Sequence, residues 1–314
     1  MRVSALPLPM ALVAALALSL SGCDGASAPG TGGTERGGAP ASAVAAVPVV
    51  ASTNVYGDIV RQVGGDKVDV VSLISDPAQD PHSYEAGTRN QLALSRARVV
   101  VENGGGYDDF VGRMLRAADN PSADVINAVR VSGRTPPAGG EINEHVWYDL
   151  PTVGRLAARI ADSLAKAAPG DGDLFRRNAQ AFQGRLKALE AEETRIRSAH
   201  AGAAVAVTEP VPLYLIEACG LRDRTPPDFA EAVEEGTEVS PGSMRQMLDL
   251  FSGKTVEALV YNQQTSGPQT EKVRQAAKDN GIPVVPVNET LPPGRDYVGW
   301  MKSTIEELGK ALNA

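Results

Sequence analysis

The chain predicts an α/β protein of two Rossmann-like lobes, each built on a parallel sheet, joined by a long rigid helix. Three patterns carry that prediction. Short apolar runs alternate with helical periodicity over residues 47–150, and the same alternation resumes over residues 201–314. Strands alternating with helices are the mark of parallel sheet. Between the two blocks, residues 151–200 hold helical spacing with one Pro169-Gly170 break.

In the first block, Pro48–Ser52 reads as a buried strand, Asn54–Val63 as a helix stopped by Gly64-Gly65, and Val68–Leu73 as a second strand. A loop from Ser75 to Thr88 leads to a short helix, Arg89–Arg96. Arg98–Val101 is a third strand ending at Asn103-Gly104-Gly105-Gly106, and Tyr107–Ala118 is helical. Thr152–Ala167 is the first connecting helix. In the second, Leu174–His200, Phe175, Phe182, Leu186, Leu189 and Ile196 recur at helical intervals. A helix of about 27 residues is roughly 40 Å long, a strut that can run across both lobes. The second block reads strand Ala203–Thr208, helix Val211–Ala218, helix Ser240–Phe251 with Ser240 as N-cap and Pro241 at N1, and strand Val256–Tyr261. Helix Gln269–Asp279, strand Ile282–Val287 and helix Tyr297–Leu312 complete it.

The N-terminus belongs outside the fold. Arg2 and the apolar run Met10–Leu20 form a secretory signal, residues 1–22, too short to span a bilayer comfortably. It ends in Leu20-Ser21-Gly22-Cys23, which resembles a bacterial lipobox. That resemblance implies cleavage before Cys23, a lipid on its thiol, and a location at the extracytoplasmic face of the cell membrane. Residues 23–46 are rich in Gly, Ala, Ser and Pro and are expected to be a flexible tether with a reach of roughly 25–30 Å. The formal net charge of −8 and the lack of a basic run argue against nucleic acid as partner. Cys219 is the only cysteine beyond Cys23, so the body has no internal disulfide, and Cys219 reads as a buried thiol without a role.

Histidine is scarce, and its placement is informative. Of three histidines, His82 lies in Asp80-Pro81-His82-Ser83-Tyr84-Glu85 and His145 in Glu144-His145-Val146-Trp147. Pro81 stiffens its loop. A neutral imidazole is the commonest transition-metal ligand and needs an acceptor behind its other nitrogen. Asp80 or Glu85 could serve His82, and Asp149 could orient His145 while Trp147 and Tyr148 shield it. Glu209 stands at the end of a strand, as a cleft ligand or as dressing for the next helix, with Pro210 at its first position. Asn288-Glu289 ends another strand, before a Pro-rich turn. With one such residue per strand-end loop, two from each block, the set suits a site between lobes, unlike the local clustering of a zinc finger.

Val49-Val50-Ala51-Ser52, the Asp80–Glu85 motif, Asn103-Gly104 and His145-Val146-Trp147 resemble the metal-binding solute-binding proteins (cluster A-I) of manganese, zinc and iron ABC importers. Tyr214-Leu215 and Gly220-Leu221 follow Glu209 at that family's spacing. The resemblance spans about Val47 to Ala314. It implies a lipid-anchored receptor, not an enzyme, with one divalent ion in the interlobe cleft and an ABC permease as membrane partner; a monomer is expected. His82, His145 and Glu209 carry over as ligands. The fourth position is normally Asp; Asn288 fills that slot here, and Glu289, one residue on, is the expected ligand because a carboxylate binds a divalent ion better than an amide. Glu at the third position and the lack of a histidine-rich loop around Gly133–Gly140 favour Mn2+, with Zn2+ next and Fe2+ possible. The alternatives are an envelope zinc-dependent hydrolase, for which neither His-Glu-x-x-His nor Gly-x-Ser-x-Gly is present in the body, and an adhesin or metal chaperone without its own permease.

Overall fold

Eight strands fall into two parallel four-stranded sheets in a computed structural model that describes residues 46–76, 84, 87–136 and 140–314. The signal segment, Cys23 and the tether up to residue 45, His82 with most of its motif, and residues 137–139 lie outside the described residues. The first sheet contains β1 (Val47–Thr53), β2 (Val68–Ile74), β3 (Val99–Glu102) and β4 (Asp124–Asn127), in the order β2-β1-β3-β4. The second contains β5 (Ala204–Val207), β6 (Arg222–Asp223), β7 (Ala258–Asn262) and β8 (Val284–Val287), in the order β6-β5-β7-β8. Every strand pair is parallel, with Val49 opposite Val99 in one sheet and Val205 opposite Ala258 in the other.

The helices of the first half are α1 (Asn54–Gly64), α2 (Thr88–Arg96), α3 (Asp109–Ala117) and α4 (Ala128–Ser132). Between the sheets run α5 (Leu150–Ala167) and α6 (Gly172–His200). The second half adds α7 (Leu213–Ala218), α8 (Pro227–Glu234), α9 (Pro241–Ser252), α10 (Pro268–Asp279) and α11 (Tyr297–Ala311). Ser240 caps α9 as expected, its hydroxyl accepting from the Ser243 N–H at 3.1 Å. Most expected elements are present with ends displaced by a residue or two. β4, α4, β6 and α8 are additions. β6 is two exposed polar residues, and β4 is an edge strand whose Val125 faces solvent; neither has an apolar run to announce it.

Each sheet is covered on both faces, as parallel sheets require. The outer face of the first packs on α2 and α3 through Val50, Val100, Leu94 and Phe110. That of the second packs on α8, α9 and α10 through Leu259, Phe229, Phe251 and Val273. The inner faces of both sheets share one continuous apolar cluster with α1, α5, α6 and α11. All five apolar residues expected to line α6, from Phe175 to Ile196, are buried in it. At 29 residues α6 is about 44 Å long and passes behind both sheets. The described body is a single compact unit.

Cys219 is buried, and burial pushes its thiol up to about 12, so it stays an inert thiol. Glu193, on the buried face of α6, breaks the apolar stripe. Its pKa is pushed from 4.5 up to about 8, first by burial and then by the nearby charges of Glu190 and Asp149. The folded state therefore holds this proton more tightly than the unfolded chain, and the carboxyl's contribution to stability declines as pH rises from about 4.5 to about 8. Glu193→Gln removes that decline: its stability relative to wild type rises across this interval, as read from urea midpoints on either side of it. A constant difference between the two proteins contradicts the assignment.

Candidate metal centre

His145 is fully buried and enters a single 3-10 turn, Val146–Tyr148, just before α5. The backbone ahead of it is pinned by a short polar chain. Asn103, at the end of β3, donates from Nδ2 to the Glu144 carbonyl at 3.0 Å, and Tyr56 donates its hydroxyl to Asn103 Oδ1. The Asn143 side-chain oxygen accepts from the His145 backbone N–H at 3.0 Å and lies 2.7 Å from ring Nδ1. An amide oxygen there assigns the ring proton to Nδ1 and turns the lone pair of Nε2 outward, the form in which imidazole binds metals. Trp147 meets the ring edge-on at a centroid distance of 5.0 Å, and Tyr107 lies at 6.0 Å. The expected shielding by Trp147 is therefore present. Asp149 does not orient the ring. Its carboxylate pairs with Arg134 at 3.0 Å and accepts from the Thr152 hydroxyl at the start of α5; Asn143 has the orienting role.

Tyr107 is delivered by the turn after β3. Gly104 has φ +79°, and a Cβ there would sit 2.1 Å from the Asn127 side chain, so only glycine fits. Asp108 ties the turn by accepting from the Asn103 and Gly104 N–H groups at 2.6 and 2.8 Å. The Tyr107 hydroxyl then donates to Glu289 Oε2 at 3.2 Å. Burial first, and the Glu289 charge second, raise the Tyr107 phenol well above its ordinary value, which keeps it a donor.

Glu289 is buried, and its other oxygen, Oε1, accepts from Asn262 Nδ2 at 2.8 Å, while its backbone N–H donates to Gln264 Oε1 at 2.6 Å. Asn288, its neighbour, is only partly buried, and its carbonyl accepts from the Tyr148 hydroxyl at 2.8 Å. Glu209 is also buried and accepts from the Thr265 hydroxyl. The Asn262 N–H donates to Thr208 Oγ1 at 2.9 Å, joining the loops that carry Glu209 and Glu289. Pro210 does not open α7: that helix begins at Leu213 with Pro212 at the N-cap position, so Glu209 is no helix dressing. Asn143 closes the circuit. Its Nδ2 donates to the Pro210 carbonyl at 2.9 Å, and its own carbonyl accepts from Tyr214 at 2.5 Å.

Thus hydrogen bonds join the loops of Glu209 and Glu289, beyond β5 and β8 of the second sheet, to the connection between α4 and α5 that carries His145; His82 lies outside the described residues. Among the described residues, the group whose ligand atoms lie within 4.8 Å of one another is Glu144, His145 and Glu234, which Glu209 and Glu289 do not join. Glu234, the last residue of α8, places Oε1 3.5 Å from His145 Nε2. No motif flagged it: in sequence it is one acid among several on a short polar helix. A cavity of about 570 Å³, lined by Glu102, Asp108, Arg113 and Arg130 among others, opens on the first half and contains none of these groups. No helix among the described residues is long and apolar enough to cross a membrane.

The family model described as "ZnuA: Zinc-uptake complex component A periplasmic" matches residues 49–311. The manganese-binding lipoprotein MntA of Bacillus subtilis is 25% identical over 327 residues, covering 96% of this chain and 98% of its own. The manganese ABC transporter substrate-binding lipoprotein PsaA of Streptococcus pneumoniae is 22% identical, with 84% and 88% covered. A crystal structure of ZnuA superposes with a TM-score of 0.70 at 24% identity, over 86% of this chain and 99% of that one. MntA and PsaA are named as binding proteins, not as enzymes.

Asn143→Ala deprives buried Nδ1–H of its acceptor and cuts the link to Pro210. It is expected to cost about 1–3 kcal/mol, the usual penalty for an orphaned buried donor, measured by urea denaturation; a loss below about 0.5 kcal/mol contradicts the orienting role.

Proposed function

The chain belongs to the ZnuA family of periplasmic zinc-uptake components, and from that premise we propose that it is an extracytoplasmic receptor that captures one divalent transition-metal ion and delivers it to an ABC permease. The observation that carries this reading is that hydrogen bonds join the loop of buried His145, between α4 and α5, to the loops of buried Glu209 and Glu289, beyond β5 and β8 of the second sheet. Carboxylates are costly to bury, and a divalent cation offsets that cost as few other ligands can. His82, His145, Glu209 and Glu289 are the proposed ligands. Glu289 takes the fourth place over Asn288 because its side chain is buried beside Asn262 and Tyr107.

Mn2+ is the favoured cargo, Zn2+ next and Fe2+ third. The preference rests on Glu209: two carboxylates beside two imidazoles make an oxygen-rich set, which suits Mn2+ better than a set with a third imidazole does. The names of MntA and PsaA agree with it, and the family description points to zinc. A metal held from both halves stabilises the closed arrangement by contacts that an open one lacks. The permease reads that closed form, and the lipid proposed on Cys23 keeps the receptor at the membrane.

Elemental analysis of the protein recovered from its native envelope, without chelators or added metal, tests the reading. About one manganese or iron per chain supports it as stated; about one zinc keeps the receptor role and overturns the manganese preference. His145→Ala is expected to weaken binding by about a hundredfold or more, since losing even the support behind a ligand costs tenfold to a hundredfold. Unchanged affinity in that variant removes the ligand assignment.

A further inference from the structure

Of the two carboxylates near His145 that the proposed ligand set leaves unused, Glu144 and Glu234, it is Glu234 whose oxygen lies 3.5 Å from Nε2. It is held there by construction. α8 is anchored by Phe229, fully buried against Met247 and Phe251, and Val239 is buried just beyond the helix. The chain turns away immediately afterwards at Gly236, φ +63°. The last turn of α8 therefore has little freedom, and the Glu234 side chain is only 17% exposed.

The distance is informative. A charge-assisted hydrogen bond between imidazole and carboxylate closes to about 2.7–2.9 Å. Glu234 Oε1 and His145 Nε2 stand at 3.5 Å. Two donors each about 2.1 Å from one ion, at the tetrahedral angle, are about 3.4 Å apart. Nδ1 faces the Asn143 amide oxygen at 2.7 Å, so the nitrogen turned toward Glu234 is the one with the lone pair. A carboxylate oxygen and a lone-pair nitrogen repel each other directly and attract through a cation between them.

We propose that Glu234 is a donor to the ion bound by His145, a carboxylate that α8 adds from the second half of the chain. This rests on the metal-receptor reading and deepens it. The added oxygen shifts the donor set further toward Mn2+, which tolerates more oxygen donors than a four-coordinate Zn2+ site uses.

The test compares the affinities of the full-length protein for Mn2+ alone and Zn2+ alone in wild type, Glu234→Gln, Glu231→Gln and His145→Ala. Glu231 is exposed on the same helix and reports the general effect of removing one charge. The expected result is a loss of about tenfold or more for Mn2+ in Glu234→Gln, a smaller loss for Zn2+, and no more than about a twofold change in Glu231→Gln. Unchanged Mn2+ affinity in Glu234→Gln, with His145→Ala defective, overturns the Glu234 assignment and leaves the receptor reading standing. Equal losses in Glu234→Gln and Glu231→Gln also overturn it, as a field effect. Unchanged affinity in His145→Ala as well removes the receptor reading, and this inference with it.

Discussion

Everything polar in this molecule depends on one apolar contact: the inner faces of both sheets share a single core with α1, α5, α6 and α11. Had each sheet closed on its own core, the loops beyond their strands could drift apart. Phe175, Phe182, Leu186 and Leu189 on α6 are all buried, and Tyr297 of α11 lies 6.1 Å from Phe182, centroid to centroid. Fully burying side chains of this size is worth about 1.5–3 kcal/mol each, far more than any single exposed ion pair. The apolar spine sets the spacing, and the strand-end loops are brought face to face as a consequence.

The loops then add direction. Tyr107 to Glu289, Tyr148 to the Asn288 carbonyl, Asn143 to the Pro210 carbonyl, and Tyr297 to the Trp147 carbonyl all run between the first and second halves. The three bonds to carbonyls net only about 0.5–1.5 kcal/mol each, and the one to the Glu289 carboxylate about 1.5–3 kcal/mol. Their value is geometric, because a buried donor that loses its partner is penalised more than the bond is worth. The network therefore resists sliding more strongly than its summed energy suggests. Asn54, at the start of α1, does the same at the rim: its amide bonds both the carbonyl and the N–H of Leu291, at 2.9 and 2.8 Å.

Much of the fold was legible in the sequence because parallel sheet writes itself in apolar runs: β1, β3, β5 and β7 are buried almost throughout. What escaped lacks that signal. β6 is Arg222-Asp223, a strand by pairing alone, and α8 carries one fully buried side chain, Phe229. At the site, His145 and the two strand-end glutamates stood out by residue type and position. Their supports did not. Asn143, Asn262 and Thr265 are common polar residues whose importance comes from neighbours more than fifty positions away, which no local pattern encodes. Asp149 shows the opposite error: adjacency suggested that it would serve His145, but it points to Arg134 and Thr152 because α5 begins there.

The same reasoning bears on the fourth proposed ligand, where this chain has Asn-Glu after β8. The strand ends at Val287, and in the bend that follows Asn288 is partly buried while Glu289 and Thr290 are both buried. Val285 and Val287 of β8 face the shared core. Tyr148 holds the Asn288 carbonyl at 2.8 Å, and Gln264 accepts from the Glu289 and Thr290 N–H groups at 2.6 and 2.9 Å. The Glu289 side chain is held by its bonds to Asn262 and Tyr107. Burial and hydrogen bonding thus favour the Glu289 carboxylate as the proposed fourth ligand, even though simple alignment favours the amide.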